Sequence, residues 1–294
     1  MNDEVLFHKS ISFLMHELID AFSELRNSWK LGWAGLPTVT AGTLRWLLHE
    51  MRIPSRMEDM PLFTILMRTA DVVEMKGAQM ANNGAEPAYH NRLHIADSVV
   101  SMACLLRANR QLKGRESKPL SKDEALCILT MLVHDYGHEG RINLSPRMNE
   151  TQSIFLYTPI MKCMGLSAQD LNRMNAMVWN TDPTSVSELH RKFKKYPASA
   201  RPLGVHEMEI LVTEADILAS ALPYPGIDLS RSLSAEWFNL DEEKSASLMT
   251  CEGRLGFLKS GAHFSSEAAK ALGLPALVTS QVQQLKKQLA ISNQ

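Results

Sequence analysis

Two short histidine-bearing stretches carry the residues best suited to chemistry in this chain. In "AYHNRLHIADSV", residues 88–99, His90 and His94 are four positions apart, with Asn91 beside the first and Asp97 three beyond the second. Positions i and i+4 share one face of a helix, so both imidazoles can reach one cavity without both binding the same ion. The same residues also suit a capped helix start. "LVHDYGHEGRIN", residues 132–143, follows an apolar run and supplies His134, Asp135 and His138. An adjacent His–Asp pair sits about 100° apart around a helix, so both groups can grip a cation beside its end, and the second carboxylate oxygen is free to bridge to another ion. A local hydrogen-bonded helix end is the alternative. In "MEILVTEADILASAL", Asp216 sits mid-helix among Ile210, Leu211, Ile217 and Leu218, which cover so much of the circumference that Glu214 and Asp216 cannot both easily leave the core. An unpaired buried carboxylate is costly; a surface position is the competing reading. Together His94, His134, Asp135 and Asp216 offer two nitrogen and two carboxylate ligands, a set suited to zinc, iron, manganese or a similar divalent ion.

Elements that position these residues read as helices. "LFHKSISFLMHELIDAFSELRNSWK" and "PLFTILMRTADVVEMKGAQMA" repeat apolar residues every three or four positions. The pattern predicts further helices over about 91–111, 121–135, 150–163, 167–180, 203–221, 229–245, 247–262 and 276–290. "NNGAEP", "KGRESKP", "NTDPTS", "YPASARP" and "LPYPGID" read as turns. No alternating strand pattern, repeat or long linker interrupts them. The expectation is one all-α domain over residues 1–294, with N-terminal helices in 1–60 that leave no room for a separate sensor module.

Composition narrows the function further. The chain has 294 residues, 31 Lys plus Arg against 32 Asp plus Glu, and a formal charge of −1. That balance gives no electrostatic case for nucleic acid or an anionic membrane as main partner. An acidic, polar start argues against a secretory signal, and no apolar run is long enough to cross a bilayer. Cys104, Cys127, Cys163 and Cys251 lack paired spacing and read as reduced thiols, which points to the cytoplasm. The seventeen methionines read as flexible core filler.

In order along the chain, "YHNRLHIADSV", "HDYGHEGRIN", "VWNTDPT", "TEADILAS" and "GRLGFLKSGAHF" resemble the HD-domain superfamily, and within it the catalytic domain of class I 3′,5′-cyclic-nucleotide phosphodiesterases. The similarity runs from about residue 60 to 264. Glu139 stands where that family usually has proline. The resemblance implies an all-helical bundle with a deep pocket holding two divalent ions. His94, His134, Asp135 and Asp216 would hold the first, zinc or else iron or manganese; Asp135 would bridge to a second, magnesium or manganese. It also implies attack on phosphorus by a metal-bridging hydroxide, with His90 as general acid. His138, Asn143 and Glu150 would support the ions from outside their immediate ligands. The small-molecule substrate would be a cyclic nucleotide or a related phosphodiester.

One position departs from the pattern. The family places a glutamine three residues before a phenylalanine to clamp the purine; here those positions are Arg254 and Phe257. A guanidinium only donates hydrogen bonds. It would suit the two acceptors of guanine, or a phosphate or carboxylate on another phosphoester, unless the register slips and Arg254 faces solvent. Two further readings remain open, a broader HD-type nucleotide phosphohydrolase and a non-catalytic nucleotide-binding scaffold. The sequence leaves a homo-oligomer possible but undetermined.

Overall fold

The computed structural model describes residues 3–50, 57–200 and 206–292, and every regular element within them is helical. In chain order these are α1 (Asp3–Leu31), α2 (Leu36–Glu50), α3 (Phe63–Asn82), α4 (Arg92–Leu112), α5 (Lys122–Val133), α6 (Met148–Cys163), α7 (Ala168–Trp179), α8 (Pro183–Lys195), α9 (Glu207–Ala221), α10 (Pro223–Trp237), α11 (Glu242–Ser247), α12 (Cys251–Ser260), α13 (Glu267–Ala271) and α14 (Leu274–Ser292). The all-α expectation holds. No helix among the described residues is long and apolar enough to cross a membrane.

At the centre lies α4, packed by α1, α2, α5, α9 and α13. From His94 to Arg110 only Val100 escapes full burial. A helix enclosed on all sides must be apolar nearly all round or pair its polar groups; α4 pairs its buried Asp97 and Arg110, while the Ser101 hydroxyl and Asn109 Oδ1 have no partner among the described residues. Asp97 takes a two-pronged ion pair from Arg26 of α1, at 3.1 and 2.8 Å. Arg110 meets both oxygens of Glu124 at 2.9 and 2.8 Å. That same Glu124 closes a capping box with Ser121 at the start of α5. Asp97 is therefore a structural anchor for α1. Glu74 of α3 accepts from Trp33 Nε1 at 3.0 Å and the Leu36 amide at 2.8 Å, and pairs with Arg92, so one carboxylate joins the starts of α2 and α4.

The sequence pattern misses α2, α8 and the short α13, and misplaces α10. α8 begins inside "NTDPTS", because Asp182 caps it by accepting from the Thr184 amide at 3.2 Å and Pro183 takes the first turn, where its missing N–H costs nothing. "LPYPGID" likewise opens α10, which covers 223–237 and not 229–245. α2 spans "LPTVTAGTLRWLLHE", whose threonines and glycine dilute the helical pattern. Prolines that read as breakers are helix starts.

Candidate metal centre and its surroundings

Three helices deliver the four proposed ligands. Asn91 caps α4, its side-chain oxygen accepting from Leu93 N at 2.9 Å and His94 N at 3.1 Å, which fixes His94 in the first turn. His134 ends α5, Asp135 follows it, and Asp216 projects from the middle of α9. Their donor atoms converge. His94 Nε2 lies 3.2 Å from His134 Nε2, 3.2 Å from Asp135 Oδ2 and 3.1 Å from Asp216 Oδ1. His134 Nε2 lies 3.1 Å from Asp135 Oδ2 and 3.2 Å from Asp216 Oδ1. An ion bound at about 2.0–2.2 Å by each ligand needs neighbouring donors about 3 Å apart, so the set fits one divalent cation.

The tautomers agree with that fit. His134 Nδ1 faces the Met131 carbonyl at 3.0 Å, so it carries the hydrogen and leaves the Nε2 lone pair for the centre. Burial works against protonating His94, but Asp135 and Asp216 outweigh it and raise its pKa to about 9. His134 is raised and both carboxylates are lowered by the same mutual attraction working against burial. The cluster favours positive charge at its middle. Both imidazoles are buried, whereas the Asp135 and Asp216 side chains are 17% and 19% exposed, so the centre opens on its carboxylate side.

Beside Asp135 a second acidic region forms. Glu150, buried at the start of α6, accepts from Asn143 Nδ2 at 3.2 and 3.4 Å, while Asn143 Oδ1 accepts from the Asn149 amide. Burial, reinforced by Asp182 and Asp135, pushes the Glu150 carboxyl up to about 7. These acidic groups and the free edge of Asp135 could support a second, more hydrated ion. Asp182 did not stand out in the sequence beyond its T-D dipeptide.

On the other side sits His90, just before α4. Its Nδ1 is 2.5 Å from Glu236 Oε1, a hydrogen-bond distance shorter than two ligands of one ion adopt. Glu236 Oε2 accepts from the amides of Tyr89 at 2.7 Å and His90 at 3.0 Å. Burial opposes the Glu236 charge, yet His90 and these amides hold its pKa below the usual value. The His90 ring stacks on His138 at 3.8 Å and lies 6.0 Å from the His94 ring. His138 Nδ1 accepts from the Gly140 amide at 3.0 Å, which puts its hydrogen on Nε2; burial, then the nearby His90, lowers its pKa to about 4. Gly137 and Gly140 both hold positive φ in this turn. A Cβ on Gly140 would lie 2.9 Å from Glu236 Cγ, so glycine admits the carboxylate.

Thus His90, His94, His134, Asp135, His138 and Asp216 come together, and Asn143 and Glu150 border them. Arg254 and Phe257 belong to a different unit. The Arg254 guanidinium donates to Ser220 O at 2.6 Å, Leu222 O at 3.0 Å and Gln281 Oε1 at 3.2 Å, and lies over the Phe257 ring at 5.5 Å. Half-buried, it presents no free fork to a base. Instead it caps the C-terminal carbonyls of α9. This corrects the expectation of a substrate-reading pair: the donors expected for guanine are occupied by the chain's own backbone. Sequence reasoning also missed Glu236, whose only local mark is an acidic residue within a predicted helix. The Tyr89 hydroxyl bonds Ser220 Oγ at 2.9 Å and its ring lies against His94.

No family model and no curated protein matches this sequence. Solved structures do. LmjPDEB1 in complex with IBMX superposes with a TM-score of 0.62 at 14% identity, covering 90% of this chain and 91% of that one. The phosphodiesterase domain of the RhoPDE fusion protein from the choanoflagellate Salpingoeca rosetta gives 0.57 at 14% identity, covering 88% and 91%. The chain therefore has the helical fold of phosphodiesterase domains.

Proposed function

We propose that the chain is a metal-dependent phosphodiesterase acting on a 3′,5′-cyclic nucleotide or a related small phosphodiester. The observation that carries this reading is the convergence of His94, His134, Asp135 and Asp216 next to a histidine, His90, that is held by its own carboxylate and left out of the ligand set. A first ion (zinc, iron or manganese) and a second (magnesium or manganese) near Asp135 would acidify a water and offset charge on the phosphate oxygens. Glu236 fixes the Nδ1 hydrogen of His90, so Nε2 is the atom that gives a proton to the departing alkoxide as the P–O bond breaks. His138 presents an Nε2–H donor beside it for a phosphate oxygen or an ordered water.

Elemental analysis of the purified protein, followed by assays on bis-p-nitrophenyl phosphate, cAMP and cGMP with zinc, magnesium and manganese, tests the proposal. Wild type should hold metal and turn over at least one diester, whereas His94→Ala should lose both. Metal-free protein that stays inert towards every diester after each ion is added would end this reading.

A further inference from the structure

Elsewhere α1, α2 and α4 line an open cavity of about 570 Å³. Leu18, Leu25, Val39 and Trp46 supply apolar walls, and the half-buried Val100 of α4 supplies the floor. Three features point to a ligand. Thr43 lines the cavity at 8% exposure, and its hydroxyl makes no hydrogen bond among the described residues. Gly42, on the exposed edge of the cavity, lies mid-helix without positive φ, and a Cβ built there meets nothing within 4 Å. Neither backbone strain nor packing within the chain requires that glycine, which weakens a helix relative to alanine. Third, Asp20 and Glu24, one turn apart on the rim, have no cationic partner among the described residues, whereas Glu17 nearby is matched by Arg107 at 3.0 Å.

We infer that this cavity binds a small amphipathic ammonium compound, its alkyl or aryl body between α1 and α2 and its cationic head at Asp20 and Glu24. The volume falls in the range of small-molecule sites, roughly 300–1,000 Å³. One turn of a partner helix with its side chains fills about 500 Å³, so a docking helix would be held over little more than a turn. The rim charge rejects an anionic amphiphile of the same shape. This binding is independent of the proposed phosphodiester chemistry and is read without an activity assay.

Calorimetry with decylammonium and decanoate, both below their micellar concentrations, tests it on the full chain. Decylammonium should saturate one site and raise the melting temperature, and decanoate should not. Asp20→Asn combined with Glu24→Gln should weaken decylammonium about tenfold, the upper scale of two exposed charge contacts. Gly42→Leu should abolish binding without lowering the melting temperature, which separates a filled cavity from a misfolded chain. Failure of decylammonium to saturate wild type, equal binding of decanoate, or binding unchanged in either variant would overturn the assignment.

Discussion

Glu236 satisfies three donors with two oxygens, the His90 imidazole through Oε1 and the Tyr89 and His90 amides through Oε2. A glutamine has the same shape, but its amide nitrogen cannot accept, so one side of this arrangement must break. Glu236→Gln should therefore lower kcat about 10- to 100-fold, the scale expected for a partner that orients a reacting histidine, with KM little changed. Steady-state kinetics on any diester the enzyme accepts checks this; an unaltered kcat would remove Glu236 from catalysis. Arg254 leads to the opposite expectation. Because its guanidinium holds the end of α9, Arg254→Gln should leave the ratio of cAMP to cGMP turnover unchanged while costing about 1–3 kcal/mol of stability through unpaired carbonyls. Parallel denaturation and substrate competition would expose a base-reading role as a shifted ratio.

Helix ends do most of the positioning: the capped start of α4 presents His94, the end of α5 presents His134, and only Asp216 comes from a helix middle. Residues in short motifs were legible because their spacing within one turn already restricts where they point. Glu236 was not, since its contact with His90 joins positions 146 residues apart and nothing local marks it. The same limit applied to Arg254, whose neighbour in sequence, Phe257, matched a motif while its guanidinium reached back 34 residues to Ser220. Boundaries failed where proline serves as a start signal, at Pro183 and Pro223. The link between α1 and α4 was equally hidden, and it has a measurable consequence. Arg26→Met would strand Asp97, which is 1% exposed, as an unpaired buried carboxylate. Unfolding in urea should show a loss of about 3–5 kcal/mol, the cost of breaking a buried pair from one side. A loss below about 1 kcal/mol, typical of exposed pairs, would mean α1 is held by its apolar face alone.

At the scale of the whole molecule, α8, α9 and the segment before α13 meet at His190, far from any proposed ligand in role though buried as deeply. Thr213 Oγ1 donates to Ile210 O at 2.8 Å, so it must accept from His190 Nε2–H at 2.9 Å. In the neutral ring Nδ1 then accepts from Ser265 Oγ at 2.7 Å. Burial, with His263 and Lys194 adding repulsion, lowers the His190 pKa from 6.5 to about 3. In the unfolded chain the ring regains its ordinary affinity for protons. Below pH 6.5 the unfolded state therefore binds the extra proton first, so this contribution is complete above 6.5 and declines as pH falls towards 3. Between pH 7 and pH 5 the wild type should lose about 2 kcal/mol from this residue. His190→Gln can keep one donor and one acceptor but cannot titrate, so its stability should fall less over the same interval. Chemical denaturation of both proteins at pH 5, 6 and 7 measures the difference, and parallel curves would show that His190 is protonated in the fold despite its hydroxyl partners.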